Sequence, residues 1–296
     1  MEKINVIVPT RNRKTCLLDL IKNLNLQNHE ISKLIIIDSS DKPIKISELK
    51  SIWPIKLIHT EIKSAAIQRN FGLDLVESNC RYVAFLDDDV LVPADYLNRL
   101  INTLKENDGI GVSGITSDLL MKRQQLKYNI LIHAKRFFLL DAKKPGSMTY
   151  SGINVPPYPE KNKKPFETEW LIGCSLWDYN NIKKLKFEST FFGQSVGEDV
   201  LFSLKASKKG RLFVDPSIVI EHLLININRP STFEFWYMWS KNRKLIIKEL
   251  GGSIRNKVAY CWSNFGQILI FIVNSNYSLN SILASIKGVI RGMLDE

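Results

Sequence analysis

The sequence predicts an α/β protein with a doubly wound, mostly parallel sheet, followed by a helical extension. Three observations carry that prediction. Short β-branched runs alternate with helix-spaced segments through the first half of the chain. One of these runs, 34–37, is apolar throughout rather than alternating, as a strand covered on both faces is. Polar clusters stand where the runs stop, and in such sheets ligands bind beyond the carboxyl ends of the strands. Composition agrees: of 296 residues, 45% are hydrophobic and 24% charged, which is ordinary for a globular chain with a sizeable core.

Residues 4–8 (Ile-Asn-Val-Ile-Val) form the first expected strand, stopped by Pro9 and a polar loop at 10–14. Leu17, Leu18, Ile21 and Leu24 then recur at helical spacing, predicting a helix over 15–27. Strands are expected at 34–37 and 55–58. Ser64 is placed to cap a helix running to residue 78. A fourth strand, 82–86, ends in three aspartates; Pro93 stands near the start of a helix at 94–105, and 110–115 is a fifth strand.

Residues 141–165 read as a long irregular loop, a lid or binding loop, with a basic patch at Lys161, Lys163 and Lys164. Order resumes at 170–176. A helix is expected over 200–209, with two short strands at 211–214 and 218–220. From residue 231 the character changes to helices, the first carrying Phe235, Trp236 and Trp239 beside Arg243 and Lys244. The apolar stretch 260–273 is shorter than the ~20 residues that a spanning helix needs. A last amphipathic helix covers 282–294. The division expected is a catalytic domain at 1–225 and a helical extension at 226–296.

The formal net charge of +11 favours anionic partners. Nucleic acid is not expected among them, because no RNA-recognition, helix-turn-helix or zinc-finger pattern is present. The four cysteines, Cys16, Cys80, Cys174 and Cys261, have no metal-site or disulfide spacing. Each is expected to be a small buried hydrophobe, which suits a reducing compartment. Met1 leads directly into a strand, so no signal peptide is expected.

Asp87-Asp88-Asp89 carries the most chemistry. Three acids in a row repel one another unless they are well solvated or share a cation. Oxygen donors at this density suit Mg²⁺ or Mn²⁺ carrying a phosphate. Taken alone, the triplet reads better as a solvated acidic turn. It does not stand alone. Val6-Ile7-Val8-Pro9-Thr10-Arg11-Asn12-Arg13, Ile36-Ile37-Asp38-Ser39-Ser40-Asp41, Ala65-Ala66-Ile67-Gln68-Arg69-Asn70-Phe71-Gly72 and the triplet follow in order. Trp170-Leu171-Ile172-Gly173-Cys174-Ser175, Gly197-Glu198-Asp199 and His222 come after them. This series resembles the family 2 glycosyltransferases of the GT-A fold.

The resemblance implies an inverting transfer from a nucleotide sugar, with Mn²⁺ or Mg²⁺ at the diphosphate. It assigns Asp89 to the metal, Asp87 to the ribose or the metal's waters, and Asp88 to the same donor site. His222 is a further metal or diphosphate ligand, or a hydrogen-bonded histidine at a strand end. Pro9 and Thr10 would border the base, Asp38 bond its edge (Asp41 being the lesser choice) and Arg69 reach the base or phosphates. Arg13 belongs to this nucleotide-binding set, and Arg11 reads as a surface cation. Asp199 would take the acceptor's proton, although a helix N-terminus lowers a carboxylate's basicity. Glu198 beside it, Gly173 and Trp170 lie on the acceptor side. Trp170 would stack on a sugar, whereas Trp177 reads as a sugar platform or as core.

The donor implied is a UDP- or dTDP-linked hexose or deoxyhexose, and the acceptor a saccharide or lipid-linked saccharide of bacterial capsule or O-antigen assembly. The C-terminal aromatic and basic residues suit either a peripheral contact with the cytoplasmic face of the plasma membrane or a bundle that packs on the body or forms a homodimer. A nucleotidyltransferase is the enzymatic rival, but it would place glycines after the first strand. A non-catalytic glycan-binding relative is the other alternative.

Overall fold

Strand β1 (Ile4–Thr10) is buried at every residue and sits inside the parallel part of the sheet. It runs between β2 (Lys33–Asp38) and β4 (Tyr82–Phe85), with Val6 beside Leu34 on one side and Ala84 on the other. β3 (Ile55–His59) extends this part beyond β2. The computed structural model describes residues 2–119, 131–158, 164–193, 195–223, 227, 229–273 and 278–295; Lys161 and Lys163 of the basic patch lie outside them.

The continuous apolar runs follow from double coverage. Val6, Val8, Leu34 and Ile36 point into one core layer, against α1 (Lys14–Leu24) and α3 (Tyr96–Glu106). Ile7, Ile35 and Ile37 point into the other, shared with α2 (Ala65–Asp74). The two-residue period of a strand sends neighbours to opposite faces, so neither face can be polar. Gly72 lets α2 close on β1: a Cβ there would lie 2.4 Å from Ile7 Cγ2. Ser64 caps α2 as expected, accepting the Ile67 N–H, but the helix ends at Asp74.

Beyond β4 the sheet is mixed. Its order is β3-β2-β1-β4-β8-β6-β9-β5, where β5 is Val90–Leu91, β6 Gly109–Thr116, β8 Ser175–Asp178 and β9 Arg211–His222. β8 runs antiparallel to both of its neighbours, β4 and β6. β7 (Phe166–Thr168) adds to β9. The two strands expected at 211–214 and 218–220 are one strand. Its pairing with β6 jumps from Ser113–Val214 to Ile115–Val219, so a bulge sets residues 215–218 against Gly114 alone without ending the strand.

Two short helices that the sequence reading missed, α4 (Leu131–Phe137) and α5 (Tyr179–Ile182), precede α6 (Glu198–Ser207). The described part of the long loop is pinned down, not free: Val155 and Ser151 are buried, and Val155 O accepts the Trp170 indole N–H at 3.0 Å.

The chain ends in α7 (Thr232–Glu249), α8 (Ile254–Val273) and α9 (Leu279–Leu294). Ser231 and Glu234 close a capping box at the start of α7. Ile246 of α7 enters the second core layer of the sheet, and Asn242 donates to Val196 O at 2.8 Å. Of the aromatic and basic residues of α7, Trp236, Trp239 and Arg243 turn inward, while Phe233, Phe235 and Lys248 stay exposed. Arg243 is buried over the Trp239 ring at 3.8 Å and bonds Asn264, while Trp236 packs edge-on against Phe271. Arg243 therefore cannot rest on a lipid surface. Cys16, Cys80 and Cys174 are buried as expected; Cys261 on α8 is exposed.

Candidate active site

The three aspartates after β4 coexist because each has a cation beside it, Asp88 and Asp89 sharing Arg13 and Asp87 taking Arg69. Asp88 turns inward, where it accepts the Thr10 hydroxyl at 2.7 Å and Arg13 Nη1 at 3.1 Å. Asp89 takes the same Arg13 nitrogen at 2.9 Å and lies 3.4 Å from His222 Nε2 at the end of β9. Asp87 faces Arg69 Nη2 at 2.6 Å. Burial lifts the Asp88 carboxyl to about 6 against the pull of Thr10 and Arg13. Burial also pushes Asp89 upward, but the hydrogen bond from His222 and the charge of Arg13 win and hold it low. His222 is raised in return, chiefly by its bond to Asp89.

Arg69 joins this acidic turn to the opposite wall. Its guanidinium, buried on α2, pairs with Asp87 and with Glu198 at the start of α6. Gly197, in the left-handed region at φ 86°, makes the turn into that helix. Asp199 follows, accepting the Val200 N–H at 2.8 Å. Burial raises its carboxyl to about 6, outweighing Val200 and Arg69. At this carboxyl desolvation thus outweighs the pull of the helix N-terminus.

These groups line one cleft of about 360 Å³, shared by Pro9, Thr10, Arg13, Gly173, the acid triplet, Glu198, Asp199 and His222. A volume of that order is typical of small-molecule sites. At Gly173 a Cβ would stand 3.2 Å from Arg69 Nη2 and 3.4 Å from Asp87 Oδ2, so a larger residue would crowd that pair.

Two expected residues are not brought to the cleft. Asp38 is fully buried, and its oxygens accept the Ser40 and Ile44 N–H groups at 2.9 Å each. That carboxylate builds the turn after β2 and is not turned to a base edge. Trp170 is buried with its N–H bound to Val155, so its ring is not a sugar platform. Trp177 is core, edge-on to Phe202. Arg11, read as a surface cation, lines the cleft.

Sequence reasoning missed others. Gln68 donates to Thr10 O at 3.0 Å and Ile37 O at 2.7 Å, tying the ends of β1 and β2 beside the cleft. Its signal was a polar residue inside an otherwise recognisable segment. Lys63, Ser195 and Arg229 also line the cleft; they stand in loops with no local pattern to mark them.

Asp89 and His222 set an anionic oxygen and an imidazole nitrogen side by side, in a cleft with room for other ligands. The Asp89 carboxylate suits Mg²⁺ or Mn²⁺, which keep waters and phosphate oxygens as further ligands, and His222 would join it only as the neutral imidazole, released from its hydrogen bond to Asp89. Among the described residues no three His, Cys, Asp or Glu side chains cage one point, so any cation here would be completed from outside the chain.

Glycosyl transferase family 2 matches residues 5–154. A stretch of 112 residues is 33% identical to a glycosyltransferase of Rickettsia conorii, covering 36% of this chain and 18% of that protein. A stretch of 108 residues is 27% identical to one of Haemophilus influenzae, covering 36% of each. The match thus spans about a fifth of the Rickettsia protein. Among solved structures, S. aureus TarS 1-349 in complex with UDP-GlcNAc aligns over 98% of this chain and 81% of its own, with TM-score 0.59 and 14% identity. GalNAc-T7 with UDP, GalNAc and Mn²⁺ aligns over 90% and 55%, with TM-score 0.57 and 11% identity. Likeness at that identity speaks for the fold, and the family model for the family: the chain belongs to glycosyl transferase family 2 and has the GT-A fold.

Proposed function

We propose that the enzyme transfers a hexose or deoxyhexose, with inversion, from a UDP- or dTDP-sugar to a saccharide or lipid-linked saccharide in surface polysaccharide assembly. The catalytic unit is residues 1–225; residues 226–296 are a helical extension that seats it at the cytoplasmic face of the plasma membrane. The observation that carries the reading is the shared cleft, in which Arg69 ties the acid triplet to the turn bearing Asp199.

In this reading the acceptor hydroxyl attacks the anomeric carbon from the side opposite the diphosphate. The new C–O bond forms as the bond to phosphate breaks, and that electron pair leaves with the nucleotide. Asp199 takes the hydroxyl proton, a role suited to a carboxyl lifted to about 6. A single displacement needs no second nucleophile, and inversion follows. Asp89 and His222 would hold Mn²⁺ or Mg²⁺, which when bound supplies Lewis-acid charge to the diphosphate. Asp87, Arg13 and Thr10 position the donor, and Glu198 and Gly173 border the acceptor. The UDP held by TarS and the UDP and Mn²⁺ held by GalNAc-T7 support the choice of donor class and metal.

The test is thermal unfolding with UDP or dTDP. The nucleotide should raise the midpoint with Mn²⁺ or Mg²⁺ present, and Asp89→Ala should remove the gain. Equal stabilisation by the nucleotide in a chelator would overturn the metal assignment.

A further inference from the structure

We infer that the outward face of α8, together with Phe137, is the surface by which the enzyme lies on an anionic lipid bilayer. The inference deepens the membrane location proposed above by naming a surface other than the one that the aromatic residues of α7 suggested.

α8 buries one side, through Ala259, Ser263, Asn264 and Ile270, against the molecule. The opposite side is apolar and open to solvent: Ile254 is 81% exposed, Val258 63%, Phe265 50% and Ile272 60%. With Trp262 these positions fall at steps of three, four and seven residues, one stripe along a helix roughly 30 Å long. The patch continues onto α4. Phe137 is 67% exposed, and its carbonyl accepts the Trp262 indole N–H at 2.9 Å. The two rings meet at 5.3 Å, and Phe138 packs against Trp262 and Phe265. Apolar side chains held outward by such a cluster are unlike singly scattered surface hydrophobes and mark an interaction surface.

Charge identifies the occupant. From residue 254 to residue 294 the sequence has no Asp or Glu, while Arg255, Lys257, Lys287 and Arg291 are basic. Arg255 and Lys257 stand exposed in the first turn of α8, where the helix dipole favours acids and disfavours bases. The Tyr150 ring takes Arg255 at 3.6 Å, and anionic headgroups offset the cost that remains. A second copy of this chain would not: facing α8 with α8 sets like charges together with no carboxylate from either helix to meet them. Among the described residues no helix is long and apolar enough to cross a membrane, so α8 lies in the interface with its apolar stripe in the headgroup and acyl boundary.

Cys261 lies on α8 in the exposed set, whereas Cys16, Cys80 and Cys174 are buried. A polarity-sensitive thiol dye on Cys261 of the full chain therefore reports on this face. With vesicles containing phosphatidylglycerol, its emission should shift to the blue and the unlabelled protein should co-sediment, both reversed by salt. The variant Val258→Asp/Phe265→Asp, and separately Arg255→Glu/Lys257→Glu, should each weaken partitioning by about tenfold or more. Both should keep the far-ultraviolet spectrum and the nucleotide-dependent thermal shift. Wild type that stays in the supernatant with anionic vesicles overturns the inference. So does self-association at the vesicle-assay concentration that either variant abolishes, which would make α8 a dimer face. Neither result touches the nucleotide-dependent thermal shift, so the surface and the catalytic reading fail separately.

Discussion

At the cleft, Arg69, Asp88, Asp89 and Glu198 are charged side chains taken out of water, while on α8 Ile254, Val258 and Phe265 are apolar side chains left in it. Each arrangement goes against the ordinary distribution of residues, and each is sustained differently. The cleft supplies its own counter-charges: every acid of the triplet has a cation or hydroxyl from a neighbouring element. Among the described residues only Phe137 and Phe138 reach the stripe on the helix, and Ile254, Val258 and Ile272 stay open. Buried charge with internal partners marks a place preorganised for a charged ligand; exposed apolar surface without any marks a place completed by something outside the chain.

The sharpest break in this comparison comes from Asp199→Asn. Transfer should fall by about 10²–10⁴-fold, the scale of a lost general base, with nucleotide-dependent thermal stabilisation unchanged. Transfer at a near wild-type rate would remove Asp199 from the chemistry. Next in size, Arg69→Ala strands two carboxylates and should cost about 3–5 kcal/mol in urea unfolding. A cost within experimental scatter would show that the pairing is incidental. The pH profile of kcat/KM sharpens the same point. A carboxyl lifted by burial to about 6 is protonated below that value and cannot accept a proton, so the rate should fall by about tenfold per unit on the acid side. Because Arg69 pulls Asp199 downward, Arg69→Gln should move that limb to higher pH. A limb in the ordinary aspartate range would mean that the cleft is wetter than its burial suggests. The smallest effect belongs to the helix: Ile254→Ser should change stability by less than about 0.5 kcal/mol, since it touches no buried contact.

Elements set by local pattern could be read in advance. The two-sided burial of β1 and β2 makes their runs apolar at every residue but Asn5, and the Ser64 cap and the acid triplet are visible in a few consecutive letters. Elements set by distant partners could not. Nothing local says that β8 inserts antiparallel between β4 and β6, which depends on pairing Trp177 with Val83 and Gly111. Asp38 looks like a ligand-facing acid at a strand end; only the fold of residues 38–44 shows its oxygens taken up by backbone. In α7 the aromatic and basic residues are equally compatible with lipid and with a bundle. What decides is α9 packing so closely that a Cβ at Gly288 would stand 2.6 Å from Phe233 O, and one at Gly292 2.5 Å from Tyr237 O.

The double grip of Arg69 bears on any attempt to re-engineer this cleft. Asp87 and Glu198, which the proposed reading sets on the donor and acceptor sides, draw on one guanidinium, so an exchange at either alters the charge balance felt by the other. Substitutions there should combine non-additively. A library that varies these positions one at a time would score each as damaging and overlook combinations in which all three change together.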